Sequence, residues 1–254
     1  LLVKEVDNSV HIELMIFPFI LGALLFTLQQ RCLLAACVLG LAVGTKFWPV
    51  ILAPVILRPF MRRPGRCLMA FLLFSAISII MFLPFYLSGL DSGSGFTAYR
   101  KYWEMNDALF MLFLWGIRFI AKMTNAYGLE PQAMTRAFVA GLLIFWTLGV
   151  IRKNRREPEE TVRRFLLVVA ALFMLSPTQF PWYYLWLVPL LAIRPNIPLL
   201  LLTVMLPLYY MRFFLDARQL VHIHDNGIVW LEFIPTWGLL LWDWRQKRKN
   251  QQFR

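Results

Sequence analysis

One lysine stands alone between two short apolar runs. Lys46 follows Leu39-Gly40-Leu41-Ala42-Val43-Gly44-Thr45 and precedes Phe47-Trp48-Pro49. An ammonium so close to apolar surroundings is costly, and it is placed to neutralise the phosphate of a lipid-linked substrate. Its other use would be to snorkel towards lipid head groups. His11 and Glu13, in Asn8-Ser9-Val10-His11-Ile12-Glu13, set an imidazole two residues from a carboxylate at the mouth of the first apolar run. Such a pair positions a hydroxyl or a phosphate, or else caps the helix and faces water. Arg212 and Arg218 with Asp216 precede His222, His224 and Asp225. The arginines suit a phosphate. His-x-His-Asp offers ligand atoms without a third spaced partner, so a solvated outer loop is expected there and no metal site.

A second stretch, Ser176-Pro177-Thr178-Gln179-Phe180-Pro181-Trp182-Tyr183-Tyr184-Leu185-Trp186-Leu187-Val188-Pro189, joins two apolar runs through a rigid polar turn. Each proline fixes its own φ and pushes the residue before it out of the α region. The sequence predicts Trp182, Tyr183 and Trp186 as an aromatic rim at a membrane–water boundary, with Gln179 in the turn beneath. A helix, break and helix with such a rim suits the holding of a lipid or a sugar; an aromatic belt at a loop is the simpler reading. No Ser-His-Asp arrangement, nucleophile elbow or phosphate-cradling glycine loop is present.

The elements that must position these groups are apolar. Of 254 residues 59% are hydrophobic and 16% charged, against roughly 45–50% and 25% in ordinary soluble domains. An all-α, polytopic integral membrane protein is therefore expected, as one transmembrane domain over 1–254. The segments read as 11–28, 32–45, 47–60, 67–87, 137–151, 164–177, 182–193, 196–211 and 228–244, about nine, with a further apolar run at 108–121. Several fall short of the roughly 20 residues of a perpendicular span. The pair 32–45 and 47–60, the latter interrupted by Pro49, Pro54 and Pro59, either crosses twice or dips in as a hairpin. Cys32, Cys37 and Cys67 read as small buried residues, with no disulfide framework.

The net charge of +12 does not point to nucleic acid, because the basic residues occupy short loops and the tail. Arg31, the group Arg58, Arg62, Arg63 and Arg66, the run 152–164, Arg194 and the tail fall on one side if nine segments alternate. They are most of the 26 basic residues, so that side is the cytoplasm. This requires 89–136 to be one outer excursion, with 108–121 as an interfacial or re-entrant helix. Lys46, the His11–Glu13 pair, the 176–182 turn and 212–226 then lie outside, as does a loop where Asp91 to Gly95 precede Tyr99, Tyr102 and Trp103. Glu157, Glu159 and Glu160 read as solvated cytoplasmic charge. The chain begins at Leu1 in a polar segment, and a missing N-terminal part is expected.

These motifs resemble the polyprenol-phosphate-dependent glycosyltransferases of the GT-C fold, and most closely the mannosyltransferase-like glycosyltransferase family 87. Gly40 to Pro49 looks like the family's small-residue helix ending in Lys-x-x-Pro. Ser176-Pro177 with Pro181-Trp182-Tyr183, Trp186 and Pro189 looks like its Ser-Pro-x-x-x-Pro-Trp-Tyr segment, and His11-Ile12-Glu13 is similar to its polar lead-in. Phe180 stands where members often carry histidine. The family's catalytic aspartate would lie upstream of Leu1, so the catalytic base is expected outside this chain. The resemblance implies a GT-C-like helical bundle in the bacterial cytoplasmic (inner) membrane with its site facing outward. It implies a polyprenyl-phosphate sugar donor, a glycolipid or polysaccharide acceptor, and inverting transfer without a cofactor. Lys46, His11, Glu13, Arg212, Gln179, Trp182 and Tyr183 would bind the donor phosphate or substrate. The alternative is a transporter or flippase of a lipid-linked intermediate, for which polar residues near mid-membrane would be expected.

Overall fold

Two closely packed helices, one presenting glycines to the side chains of the other, set the geometry of the N-terminal half. The structure, a computed structural model, describes residues 13–87, 104–124, 130–152 and 157–252. Helix α1 (Glu13–Leu28) ends in a tight turn in which Gln30 adopts φ 61°. Its carbonyls are closed by Gln30 N–H to Thr27 O (3.1 Å) and Arg31 N–H to Phe26 O (2.8 Å), a left-handed helix cap. The chain reverses into α2 (Cys32–Thr45), which packs against both α1 and α4 (Pro64–Leu87). Gly40 and Gly44 are the points of contact with α4. A Cβ on Gly40 would lie 2.9 Å from the Ile77 side chain, and one on Gly44 2.8 Å from Met81. Small residues four apart let two backbones approach closely, as they do between helices in lipid.

Beyond Lys46 the prolines break the helix into short pieces: a 3₁₀ turn over Trp48–Leu52, α3 (Ala53–Leu57) and a second 3₁₀ turn over Arg58–Phe60. The chain returns to the end it left, since Pro59 and Phe60 line the same pocket as Arg31. Arg58 Nε donates to Ile151 O (2.9 Å), which brings the end of α6 (Pro131–Arg152) to that end too.

Helix α5 (Ala108–Met123) and α6 enclose a small core of Phe110, Leu114, Val139 and Leu175, the last from α7 (Pro158–Leu175). At the start of α7, Glu157 and Glu159 are exposed, as expected of solvated charge, and Glu160 is the departure. Glu160 is buried, 2.8 Å from Arg163 Nε and 3.3 Å from Arg164 Nε. The hydrogen bond from Arg163 holds the Glu160 carboxyl below its ordinary range. At i+3 and i+4 both guanidinium groups reach one carboxylate, which lets the helix bury it.

After α7 come a 3₁₀ turn over Pro181–Trp186, α8 (Val188–Ile193) and α9 (Ile197–Met205). Asn196 caps α9 by accepting from Leu199 N–H (3.1 Å), and the Tyr184 hydroxyl donates to Leu199 O. The chain continues through a 3₁₀ turn over Leu206–Tyr210, α10 (Met211–Asp216), α11 (Val221–Ile223), a π turn over His224–Ile228 and α12 (Val229–Gln252), which packs on α9.

The described residues contain no strand, in keeping with the all-α expectation. The count of about nine membrane segments is corrected. Three helical stretches are long and apolar enough to cross a membrane: Pro64–Pro84, Pro131–Arg152 and Ile197–Asp216. Proline divides 47–60 and 181–193, α7 carries charge in its first turns, and α1 and α2 have 16 and 14 residues. At 1.5 Å per residue these two extend about 20–24 Å, against a hydrocarbon core of about 30 Å. The long helices also leave large apolar groups uncovered, with Ile79 and Ile80 65% exposed on α4 and Phe145 76% exposed on α6.

The contact at Gly40 predicts that Gly40→Ala lowers stability by about 1–3 kcal/mol, because Ile77 must move. Gly141→Ala on α6, where an added Cβ meets nothing within 4 Å, should be neutral or stabilising by up to about 1 kcal/mol. Thermal unfolding of the two variants in detergent compares them directly.

Candidate functional site

Two loops far apart in sequence are pinned to each other. Met105 N–H donates to Pro177 O (3.1 Å) and Gln179 N–H to Met105 O (3.1 Å), an isolated parallel bridge between Met105 and Thr178. Pro177 and Pro181 leave the turn between them extended, and its polar groups close on themselves. Ser176 Oγ donates to Thr178 O (2.9 Å) and accepts from Thr178 N–H (3.1 Å). Gln179 Nε2 donates to Met174 O (2.7 Å). Asn106, at φ 57°, turns its side-chain amide to Gln179 O (3.1 Å) and to the buried Glu232 carboxyl group of α12 (2.8 Å). Asparagine tolerates this left-handed backbone better than most residues.

The pinned turn delivers its aromatic residues beneath the end of α2. The Lys46 ammonium lies 4.1 Å from the centre of the Tyr183 ring and 5.0 Å from that of Trp186. Trp48 stacks on Trp186 at 4.6 Å. A cation over aromatic faces gains about 0.5–2 kcal/mol, more as water is excluded. The expected aromatic rim is therefore corrected: Tyr183 and Trp186 are buried, and Trp182 is partly buried, stacked on Phe180 at 4.4 Å. Their rings are held by one another and by Lys46. Through Tyr209, whose ring centre is 6.0 Å from that of Trp182 and 6.1 Å from that of His224, the aromatic cluster reaches the last turn before α12.

There a polar cleft of about 280 Å³ opens, lined among others by Glu104, Asp107, Arg118, Arg212 and Asp225. Asp225 lies 3.7 Å from Arg212 Nε and 3.0 Å from His224 Nδ1, and Arg136 Nη2 lies 3.4 Å from Glu104. Burial pushes the Asp107 carboxyl up to about 7; its own backbone amide and Arg136 pull it down, and Glu104 and Asp225 push it up. An acid poised near neutral pH can both accept and return a proton.

Of the residues singled out in the sequence, Lys46, Tyr183 and Trp186 come together at one place, and Trp182 stacks on Phe180 beside them. Arg212 lies in the polar cleft, whose lining does not include Lys46. Gln179 is fully buried, its amide nitrogen bonded to main-chain carbonyls of the turn. His224 is not a loop residue in water but is fully buried within the π turn, while His222 is exposed. No metal-holding group of three occurs among the described residues. His11 lies outside the described residues, as do the Glu13 side chain and Asp91 to Gly95 with Tyr99, Tyr102 and Trp103. Asn106, Asp107 and Glu232 escaped the sequence reading. Asn106-Asp107 before an apolar helix reads as an ordinary helix start, and Glu232 as one charge at a helix end.

Residues 114–224, somewhat less than half of the chain, match the family model of the MptB C-terminal domain, a mannosyltransferase-type family. The matched stretch holds the 176–186 turn and Arg212; Lys46 and Asp107 lie outside it. No curated protein and no solved structure matches the chain.

The buried Asp107 binds its proton more tightly folded than unfolded, so it contributes stability in acid that is lost as pH rises from its ordinary value of 3.8 to about 7. Asp107→Asn, which cannot ionise, should gain on the parent protein across that window, on the order of 1 kcal/mol per pH unit at most. Unfolding of the pair at pH 5 and pH 8 measures it; equal differences at both would refute a buried proton.

Proposed function

We propose that this chain carries the donor-phosphate site of a membrane glycosyltransferase. The enzyme moves a sugar, mannose on the strength of the family match, from a polyprenyl-phosphate donor to an acceptor hydroxyl. The observation that carries this reading is the Lys46 ammonium held over Tyr183 and Trp186. It unites the two motifs on which the resemblance rests, and it pairs the features a sugar phosphate needs. Lys46 neutralises the phosphate, and the neighbouring Trp182, the partly buried ring of the cluster, offers an apolar surface to the sugar.

In the reaction the acceptor oxygen attacks the anomeric carbon from the side opposite the phosphate. The carbon–oxygen bond to phosphate breaks, and the electron pair leaves with the phosphate, whose growing charge Lys46 stabilises. The anomeric centre is inverted. The acceptor proton passes to a general base. Asp107 and Arg212 in the neighbouring cleft are proposed to hold the acceptor, a glycolipid or polysaccharide, by hydrogen bonds to its hydroxyls. His11 and Glu13 belong to the same outer face in this reading, and Gln179 supports it by fixing the turn.

Placement in the membrane follows from charge. Arg31, Arg58, Arg62, Arg63, Arg66 and the end of α6 gather at one end of the fold, and Lys46 lies at the other end of α2. With the arginine-rich end in the cytoplasm the candidate site faces outward across a bacterial inner membrane. The three long helices cross it, and the shorter, proline-broken segments complete a GT-C-like bundle as tilted, composite or re-entrant passes. Helix α5, with Phe110 and Leu114 buried and Trp115 and Phe119 exposed, rests in the outer interface within 89–136.

In membranes containing the full-length protein, transfer from radiolabelled polyprenyl-phosphate mannose should fall on the order of 100-fold or more in Lys46→Ala. Lys46→Arg should retain part of it, and the melting temperature of both should stay near that of the parent. Undiminished transfer by Lys46→Ala would overturn the role of Lys46. Absence of transfer from mannose, glucose or arabinose donors by folded parent protein would turn the reading towards transport of the lipid.

A further inference from the structure

A cavity lies at the opposite end of α2 from Lys46. It measures about 530 Å³ and is framed by the turn before α2 and the loop before α4. Four guanidinium-bearing residues line it: Arg31, Arg62, Arg63 and Arg66. No carboxylate occurs among its described lining residues, and no ion pair joins any of the four to a described acidic side chain. Four like charges around one cavity repel each other, and an anion between them relieves that repulsion. Helix α2 begins there at Cys32 with no side chain capping its first turn, so its amide-rich end adds positive potential to the same space.

The walls identify the kind of anion. Leu33, Leu34 and Met69 line the cavity and are 39%, 43% and 54% exposed, on helices whose outer faces are apolar. A pocket for a free soluble anion gains nothing from such walls. A head group whose tails continue along α2 and α4 covers them. We infer that this cavity binds the phosphate head group of an anionic phospholipid in the cytoplasmic leaflet, with Arg31, Arg62, Arg63 and Arg66 as its ligands. The bound lipid would fasten the amino-terminal end of α2, the helix that presents Lys46 at its other end. The inference rests on the membrane placement proposed above, but not on the transferase reaction.

The test is native mass spectrometry of the full chain purified from bilayers of equal parts phosphatidylglycerol and phosphatidylcholine. The parent protein should retain phosphatidylglycerol over phosphatidylcholine by about tenfold or more, and Arg62→Gln with Arg66→Gln should lose most of that preference. Arg62→Lys with Arg66→Lys should keep a large part, which separates charge from folding because all four positions are exposed and none packs in the core. Removing two charges from the tail, by Lys247→Gln with Lys249→Gln, should leave the preference intact. Equal retention by the glutamine variant, equal loss from the tail variant, or displacement of the lipid by millimolar inorganic phosphate would each overturn the inference. Lys46→Ala should bind phosphatidylglycerol like the parent, so this binding can fail or hold independently of the proposed transfer.

Discussion

The pairing of Met105 with Pro177 and Gln179 is the contact through which the rest of the candidate site is assembled. Without it the 176–181 turn would have main-chain groups facing a core built of Phe173, Phe180 and Tyr184, at a cost of roughly 1–3 kcal/mol for each one left unsatisfied. With it, the turn is rigid enough to hold six aromatic-rich residues as a 3₁₀ segment under Lys46 on one side. The same pairing carries Asn106 and Asp107 to the mouth of the polar cleft on the other. Asn106 then ties both loops to Glu232 on α12, so one short clip connects three parts of the chain.

Charge is distributed along the molecule in a way that suits a protein with two unlike ends. At one end the Lys46 ammonium is set over the rings of Tyr183 and Trp186. At the other, four guanidinium groups surround an open cavity. Helix α2 joins them, and Gly40 and Gly44 let it pack closely against α4. A bulkier residue at Gly40 or Gly44 would collide with Ile77 or Met81.

Much of this was legible in the residues. The helical segments fall close to the apolar runs, with α2 at the expected 32–45, and both motifs that carry the resemblance meet at one place. Lys46 stood out because a lone charge between apolar runs demands a reason. Other features were not legible. The burial of Tyr183 and Trp186 depends on Lys46 and Trp48 arriving from a helix more than a hundred residues earlier. Glu160 looked solvated because nothing in a run of mixed charges reveals that two arginines will fold over one carboxylate and exclude water from it.

The sequence by itself determined an all-helical, strongly apolar chain, where its prolines interrupt it, and on which loops its positive charge collects. These are local properties, set by propensity, by the geometry of proline and by the cost of burying charge. Tertiary structure alone decided how many helical stretches reach a membrane's thickness, that Asp107 shares a cleft with Arg212 and Asp225, and that Arg31 joins Arg62, Arg63 and Arg66 around one cavity. Those outcomes depend on which distant surfaces pack together, and desolvation and convergent charge exist only once they have done so.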